Sequence, residues 1–144
     1  ETGKTVLGLD GRKMSKSYGN IIPLFAPEKE LRKLVMRIVT NSQSIEEPKD
    51  PDTCSVFSLY KCFANSDQIA TLRERYLAGG MGWGHAKQEL FEVMNGVLSP
   101  YRTRYNELME NQDHINKILT NGSEKARELA ARKISKLRRI VGID

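Results

Sequence analysis

Cysteine is nearly absent from this chain of 144 residues, with only Cys54 and Cys62 present. That excludes a disulfide-built scaffold, and a reducing compartment is expected. No apolar run approaches the ~18 residues a membrane span requires. Residues 1–10 also lack the apolar segment of a secretory leader. Glycine is missing altogether between Asn20 and Ala78, which suits that stretch to helices. Histidine occurs twice, as His85 and His114, neither of them beside a cysteine, so no zinc-type ligand set is expected. What the chain does have is charge: 23 Lys and Arg against 18 Asp and Glu, a formal +5. A mildly basic balance permits a polyanionic partner without requiring one. The length and a 39% hydrophobic content suffice for a core without staples. The first residue is Glu1 rather than Met, and the chain is expected to be part of a longer polypeptide.

Four glycines and the cations Arg12, Lys13 and Lys16 fall within residues 1–20, which read as a short strand near Thr5–Leu9 followed by a basic loop. Beyond residue 27 the apolar period is helical. A first helix is expected from Pro27, carrying Leu31, Leu34, Val35 and Ile38, and ending near Asn41. A second should be capped by Asp52 or Thr53 and run to Ala64, and a third should be capped by Ser66 and stop at Gly79. After the glycine-rich break at 79–84, Leu90, Met94, Val97, Tyr101, Tyr105 and Leu108 trace one helical face, which Pro100 should kink or split. Asp113 should cap a short helix closed by Gly122. A last helix from Ser123 to Gly142 should turn Ala126, Ala130, Ile134, Leu137 and Val141 inward. The body is therefore all-α.

The chemistry lies in Lys13-Met14-Ser15-Lys16-Ser17, set between Gly8-Leu9-Asp10-Gly11 and Tyr18-Gly19-Asn20. Two ammonium groups three residues apart, with hydroxyls between and after them, suit a loop that closes over a triphosphate. If it closes as charge builds on departing pyrophosphate, it stabilises the transition state more than bound ATP. An arbitrary pair of surface lysines would simply be solvated. The full K-M-S-K-S string with Gly19-Asn20 behind it resembles the signature loop of class I aminoacyl-tRNA synthetases, in the tryptophanyl and tyrosyl branch. Lys49-Asp-Pro-Asp-Thr-Cys, Val56-Phe-Ser-Leu-Tyr-Lys, Gly79-Gly-Met-Gly-Trp-Gly, Leu98-Ser-Pro-Tyr and Gly122-Ser-Glu-Lys-Ala-Arg extend the likeness over the whole chain, toward the bacterial tryptophanyl-tRNA synthetases.

The resemblance implies an all-α helical bundle, the anticodon-binding domain (residues 25–144). Before it come a short strand and the signature loop left over from a Rossmann-type catalytic domain (residues 1–24). It implies a ligase that forms tryptophanyl-adenylate from tryptophan and ATP with magnesium and transfers tryptophan to tRNA(Trp), as a cytoplasmic homodimer. Neither an H-I-G-H-type turn nor a βαβ pattern is present. Tryptophan and ATP would thus be held through residues outside this chain, which alone should be inactive and bind no cofactor tightly. By matched position Lys16 is the principal pyrophosphate contact and Lys13 assists. Met14, Ser15 and Ser17 surround the phosphates, and Val6 lies on the backbone that meets adenine. No protein-bound metal is implied. A tyrosyl enzyme shares the loop. A non-catalytic helical module for RNA or protein is the reading from another class, and it predicts that Lys16→Ala leaves adenylate formation unchanged.

Other signals divide between function and packing. Gly3-Lys4-Thr5 imitates the end of a P-loop, but the following residues read as strand rather than helix, which favours a simple turn. Cys62 is expected to be a core thiol. Trp83 is either a stacking platform for a base or a plug at the helix junction, the plug being the better fit, and His85 opens a helix. The last helix carries seven cations against two carboxylates. It is either a solvated face or a tRNA phosphate contact, for which Arg132, Lys136 and Arg139 are the candidates.

Overall fold

The computed structural model describes residues 5–143. The expected turn at Gly3 and Lys4 lies outside them. The chain divides into two compact units, Glu1–Arg102 and Thr103–Asp144. All regular structure among the described residues is helical: one 3-10 turn at Lys16–Tyr18, then α1 (Glu28–Met36), α2 (Ser55–Tyr60), α3 (Ser66–Ala78), α4 (Trp83–Glu110) and α5 (Gln112–Val141).

The strand expected at Thr5–Leu9 is not seen. A single antiparallel bridge, Leu7 to Lys13, stands in its place. A strand needs a neighbour to pair with along its length, and here the chain turns back on itself at Gly8–Gly11. Nothing of a Rossmann-type sheet accompanies it among the described residues.

The first unit is held by one apolar core. Leu31, Val35 and Ile38 meet Val56, Phe57 and Tyr60, Leu72 and Tyr76, and Ala86, Leu90 and Met94. Fully burying such a side chain stabilises by about 1.5–3 kcal/mol. Tyr76 is central: its ring lies 5.3 Å from Phe57 and 6.0 Å, edge-on, from Trp83. Trp83 is thus packed at the junction, half-buried against the core. Cys62, by contrast, is exposed rather than a core thiol. Its helix is shorter than expected, and it falls in the turn that follows.

Helix ends differ for identifiable reasons. Asp52 and Thr53 do not cap α2, whose N-cap position is Cys54: the Asp52 carboxylate is paired with Arg73, and the Thr53 hydroxyl donates to Asp50 Oδ2 at 2.8 Å. Asn65 rather than Ser66 caps α3, in a reciprocal box with Gln68. The helix stops at Gly79, whose φ of 76° and contact with the Glu46 carbonyl leave no room for a side chain. The Lys49 amide donates to the Tyr76 carbonyl at 2.7 Å, fastening the acidic loop of residues 42–52 to the end of α3. Pro100 does not split α4. Leu90, Met94 and Leu98 stay buried up to it, and Arg102 Nη2 donates to Asn95 Oδ1 across it at 3.0 Å.

In the second unit Gly122 does not end a helix. The two expected helices are one, capped by Asn111 and closed at Gly142. No residue of α5 is buried. The stripe expected to turn inward is open instead, with Ile134 at 48%, Leu137 at 54% and Val141 at 62% exposure. Amphipathic spacing defines a face, but burial needs a neighbour to cover it.

A phosphate-loop candidate on a stitched turn

The K-M-S-K-S segment is built from backbone turns. The Gly11 amide donates to the Gly8 carbonyl at 3.1 Å, Gly8 to Arg12 at 2.7 Å and Met14 to Val6 at 2.8 Å. The Leu9 carbonyl accepts from the Val39 amide at 2.8 Å, tying the turn to the chain just past α1. Met14 packs on the core, so the residues beside it are presented outward. Lys13 and Lys16 are exposed, and neither forms an ion pair among the described residues. The Ser15 and Ser17 hydroxyls are 2.8 Å apart. The carbonyl of Val6 is already used by Met14.

The residue that organises the loop went unassigned in the sequence. Asn20 is 3% exposed. Its Oδ1 accepts from the Ser15 amide at 2.8 Å, and its Nδ2 donates to Asp10 Oδ1 at 2.7 Å and to the Lys13 carbonyl at 3.2 Å. Its own carbonyl accepts from the Leu9 amide at 3.0 Å. Gly8 makes this possible, because a Cβ there would collide with the Asn20 side chain and carbonyl. Asp10 is also gripped by Arg12, whose Nη2 lies 2.6 Å from Oδ2. The Arg12 guanidinium lies over the Tyr18 ring at 4.7 Å. The Asn20 hydrogen bond, opposed by desolvation and aided by Arg12, lowers the Asp10 pKa to about 2. The only signal in the sequence was a polar amide placed just after the motif, with the Asp-Gly turn before it.

A cavity of about 390 Å³ opens beside the turn, lined by Asp10, Thr40, Asp50, Ser55 and Trp83 among others. Its two carboxylates make it a poor phosphate seat. Among the described residues no three His, Cys, Asp or Glu side chains are grouped to hold a metal, and no helix is long and apolar enough to cross a membrane.

Arg132, Lys136 and Arg139 lie along one exposed face of α5, with Ala131, Ser135 and Ile140. Helical spacing of four and three residues explains the alignment. They belong to the second unit, whereas the loop belongs to the first.

A loop of this sequence, raised on a helical body, is the mark of class I tRNA synthetases. The chain belongs to the family described as tRNA synthetases class I (W and Y), whose model matches residues 2–99. That match corrects the domain reading. The model describes the synthetase's catalytic domain and runs through the loop, α1–α3 and most of α4. The helical body is therefore not assigned as an anticodon-binding domain. Within the family the similar proteins are tryptophan–tRNA ligases. That of Pseudomonas aeruginosa is 47% identical over 99% of this chain and 32% of its own length. That of Rhodopirellula baltica is 42% identical over 99% of this chain and 45% of its own. The crystal structure of tryptophanyl-tRNA synthetase from Campylobacter jejuni complexed with ADP and tryptophan has a TM-score of 0.92 and 42% identity, covering 99% of this chain and 44% of that one. The chain thus spans from about a third to just under half the length of these relatives.

Proposed function

We propose that this chain is the signature-loop and tRNA-binding part of a tryptophan–tRNA ligase. In that reaction the tryptophan carboxylate attacks the α-phosphorus of magnesium-bound ATP. The bond from that phosphorus to the bridging oxygen breaks, and pyrophosphate leaves with the electron pair. The observation that carries the reading is the pair Lys13 and Lys16, both exposed and free of ion pairs among the described residues, on a loop whose backbone is fixed by Asn20. Charges held ready for the leaving group lower the barrier more than they tighten ATP. Lys16 is the principal contact and Lys13 the assistant, with Met14, Ser15 and Ser17 around the phosphates and Val6 near adenine. Residues 2–99, which the catalytic-domain model matches, are read as belonging to the catalytic part. Arg132, Lys136 and Arg139 are read as phosphate contacts for tRNA(Trp). The identities to tryptophan–tRNA ligases favour this amino acid over tyrosine. The resemblance adds a homodimeric enzyme of the cytoplasm, and the two free thiols suit that compartment.

The test is tryptophan-dependent pyrophosphate exchange by the full-length polypeptide that carries this chain. Lys16→Ala should cut kcat by about 10²–10³, with the KM for tryptophan unchanged. Exchange at the unsubstituted rate would leave a non-catalytic helical module as the better reading. The 144-residue chain alone should show no exchange.

A further inference from the structure

We propose that Asn20 is a positioning residue for the activation step: its buried amide fixes the backbone on which Lys13 and Lys16 are carried. This rests on the reading of the loop given above. Neither lysine is anchored by its own side chain, since both are exposed and unpaired among the described residues. Their place in space is set by the main chain. Asn20 holds that main chain at two points inside the motif, the Lys13 carbonyl and the Ser15 amide, at 3.2 and 2.8 Å. It is itself held from the other side. Asp10 accepts its second amide hydrogen at 2.7 Å, the Leu9 amide donates to its carbonyl at 3.0 Å, and Gly8 leaves the space it fills. The whole arrangement is fastened to the body through the Val39 amide and the Leu9 carbonyl.

The amide group is specific to this task. Its oxygen must accept from Ser15 while its nitrogen donates twice, to a carboxylate and a carbonyl. A carboxylate at position 20 would accept from Ser15, but it would face Asp10 and the Lys13 carbonyl with no hydrogen to give. Asn20 is bonded to the loop and not to substrate. It acts through the lysines, so its loss should move the chemical step and leave tryptophan binding alone.

The experiment compares variants of the full-length polypeptide in tryptophan-dependent pyrophosphate exchange, with Lys16→Ala run in parallel. Asn20→Ala should lower kcat by roughly 10- to 100-fold, as a small misplacement of catalytic charge does, at unchanged KM for tryptophan and an unchanged helical circular-dichroism spectrum. Asn20→Asp should be impaired as well. The exchanged pair Asp10→Asn with Asn20→Asp restores a donor facing an acceptor and should recover part of the loss relative to Asn20→Asp alone. Should Asn20→Ala fail to fold, that exchanged pair decides. Asn20→Ala within twofold of the unsubstituted enzyme, or an exchanged pair no better than Asn20→Asp, overturns the positioning role while Lys16→Ala still loses activity. If Lys16→Ala is itself without effect, the reading of the loop fails and this role fails with it.

Discussion

Asp10 keeps its charge to unusually low pH because the Asn20 amide donates to it. Desolvation opposes that effect and Arg12 reinforces it, and the pKa comes to about 2. A carboxylate whose folded value is lowered contributes stability that is fully present above its unfolded value, ~3.9. That contribution is lost as pH falls from there through the folded value. The loop's internal stitching should therefore be untouched between pH 5 and 8 and should loosen only in strong acid. Carbon-detected NMR titration of the Asp10 carboxyl checks this. The expected midpoint is about 2, and a midpoint near 3.9 would mean that Asn20 does not donate to it. The same pair marks what a sequence conceals at this scale. Lys13 and Lys16 are legible because their meaning lies in adjacent residues. The role of Asn20 depends on partners five to ten residues away that only the folded turn brings together. Lys49 is a second case. In the sequence it is one cation of an acidic loop, yet it is 1% exposed, donates to the Ser44 and Glu47 carbonyls at 2.8 and 3.1 Å, and lies over the Trp83 ring at 5.2 Å.

Among the helices, interiors and the glycine stops at 79 and 142 were legible, and the N-terminal caps were not. Apolar period located α1 and α4, because burial of one face dominates their energetics. Ends are decided by local competition between side chains. Near α2, Arg73 takes the Asp52 carboxylate and Asp50 takes the Thr53 hydroxyl, and Asn65 outcompetes Ser66 because Gln68 completes its box. Gly122 shows the limit of punctuation by glycine. It costs about 1 kcal/mol against alanine inside a helix, too little to break a run whose flanks on both sides favour continuing. A Cβ at Gly122 meets nothing within 4 Å. Gly122→Ala should therefore stabilise α5 by about 0.8–1 kcal/mol, seen as a higher midpoint in thermal unfolding followed by circular dichroism. An unchanged or lower midpoint would mean that the helix is already broken there in solution.

Over the whole chain, period identified a helical body, but it could not say which apolar faces have neighbours. No residue of α5 is buried, and the stripe predicted to point inward is exposed. Charge is the property of the second unit that sequence and structure report alike, because exposed cations act whether or not a face is covered. Arg132, Lys136 and Arg139 share one exposed face of α5, and a polyanion laid along it would release counterions as its phosphates are neutralised. Each neutralised phosphate contributes roughly 0.7–0.9 to the slope of log affinity against log salt. Replacing all three by glutamine in the full-length polypeptide should weaken tRNA(Trp) binding and flatten that slope by roughly 2–3. Pyrophosphate exchange, which needs no tRNA, should stay at the unsubstituted rate. Filter binding between low and moderate salt, paired with exchange assays, separates the two effects. If the slope does not change, these cations only face solvent and the phosphates are met elsewhere. If the slope flattens while exchange is intact, tRNA is gripped by the second unit and the amino acid is activated with the loop of the first.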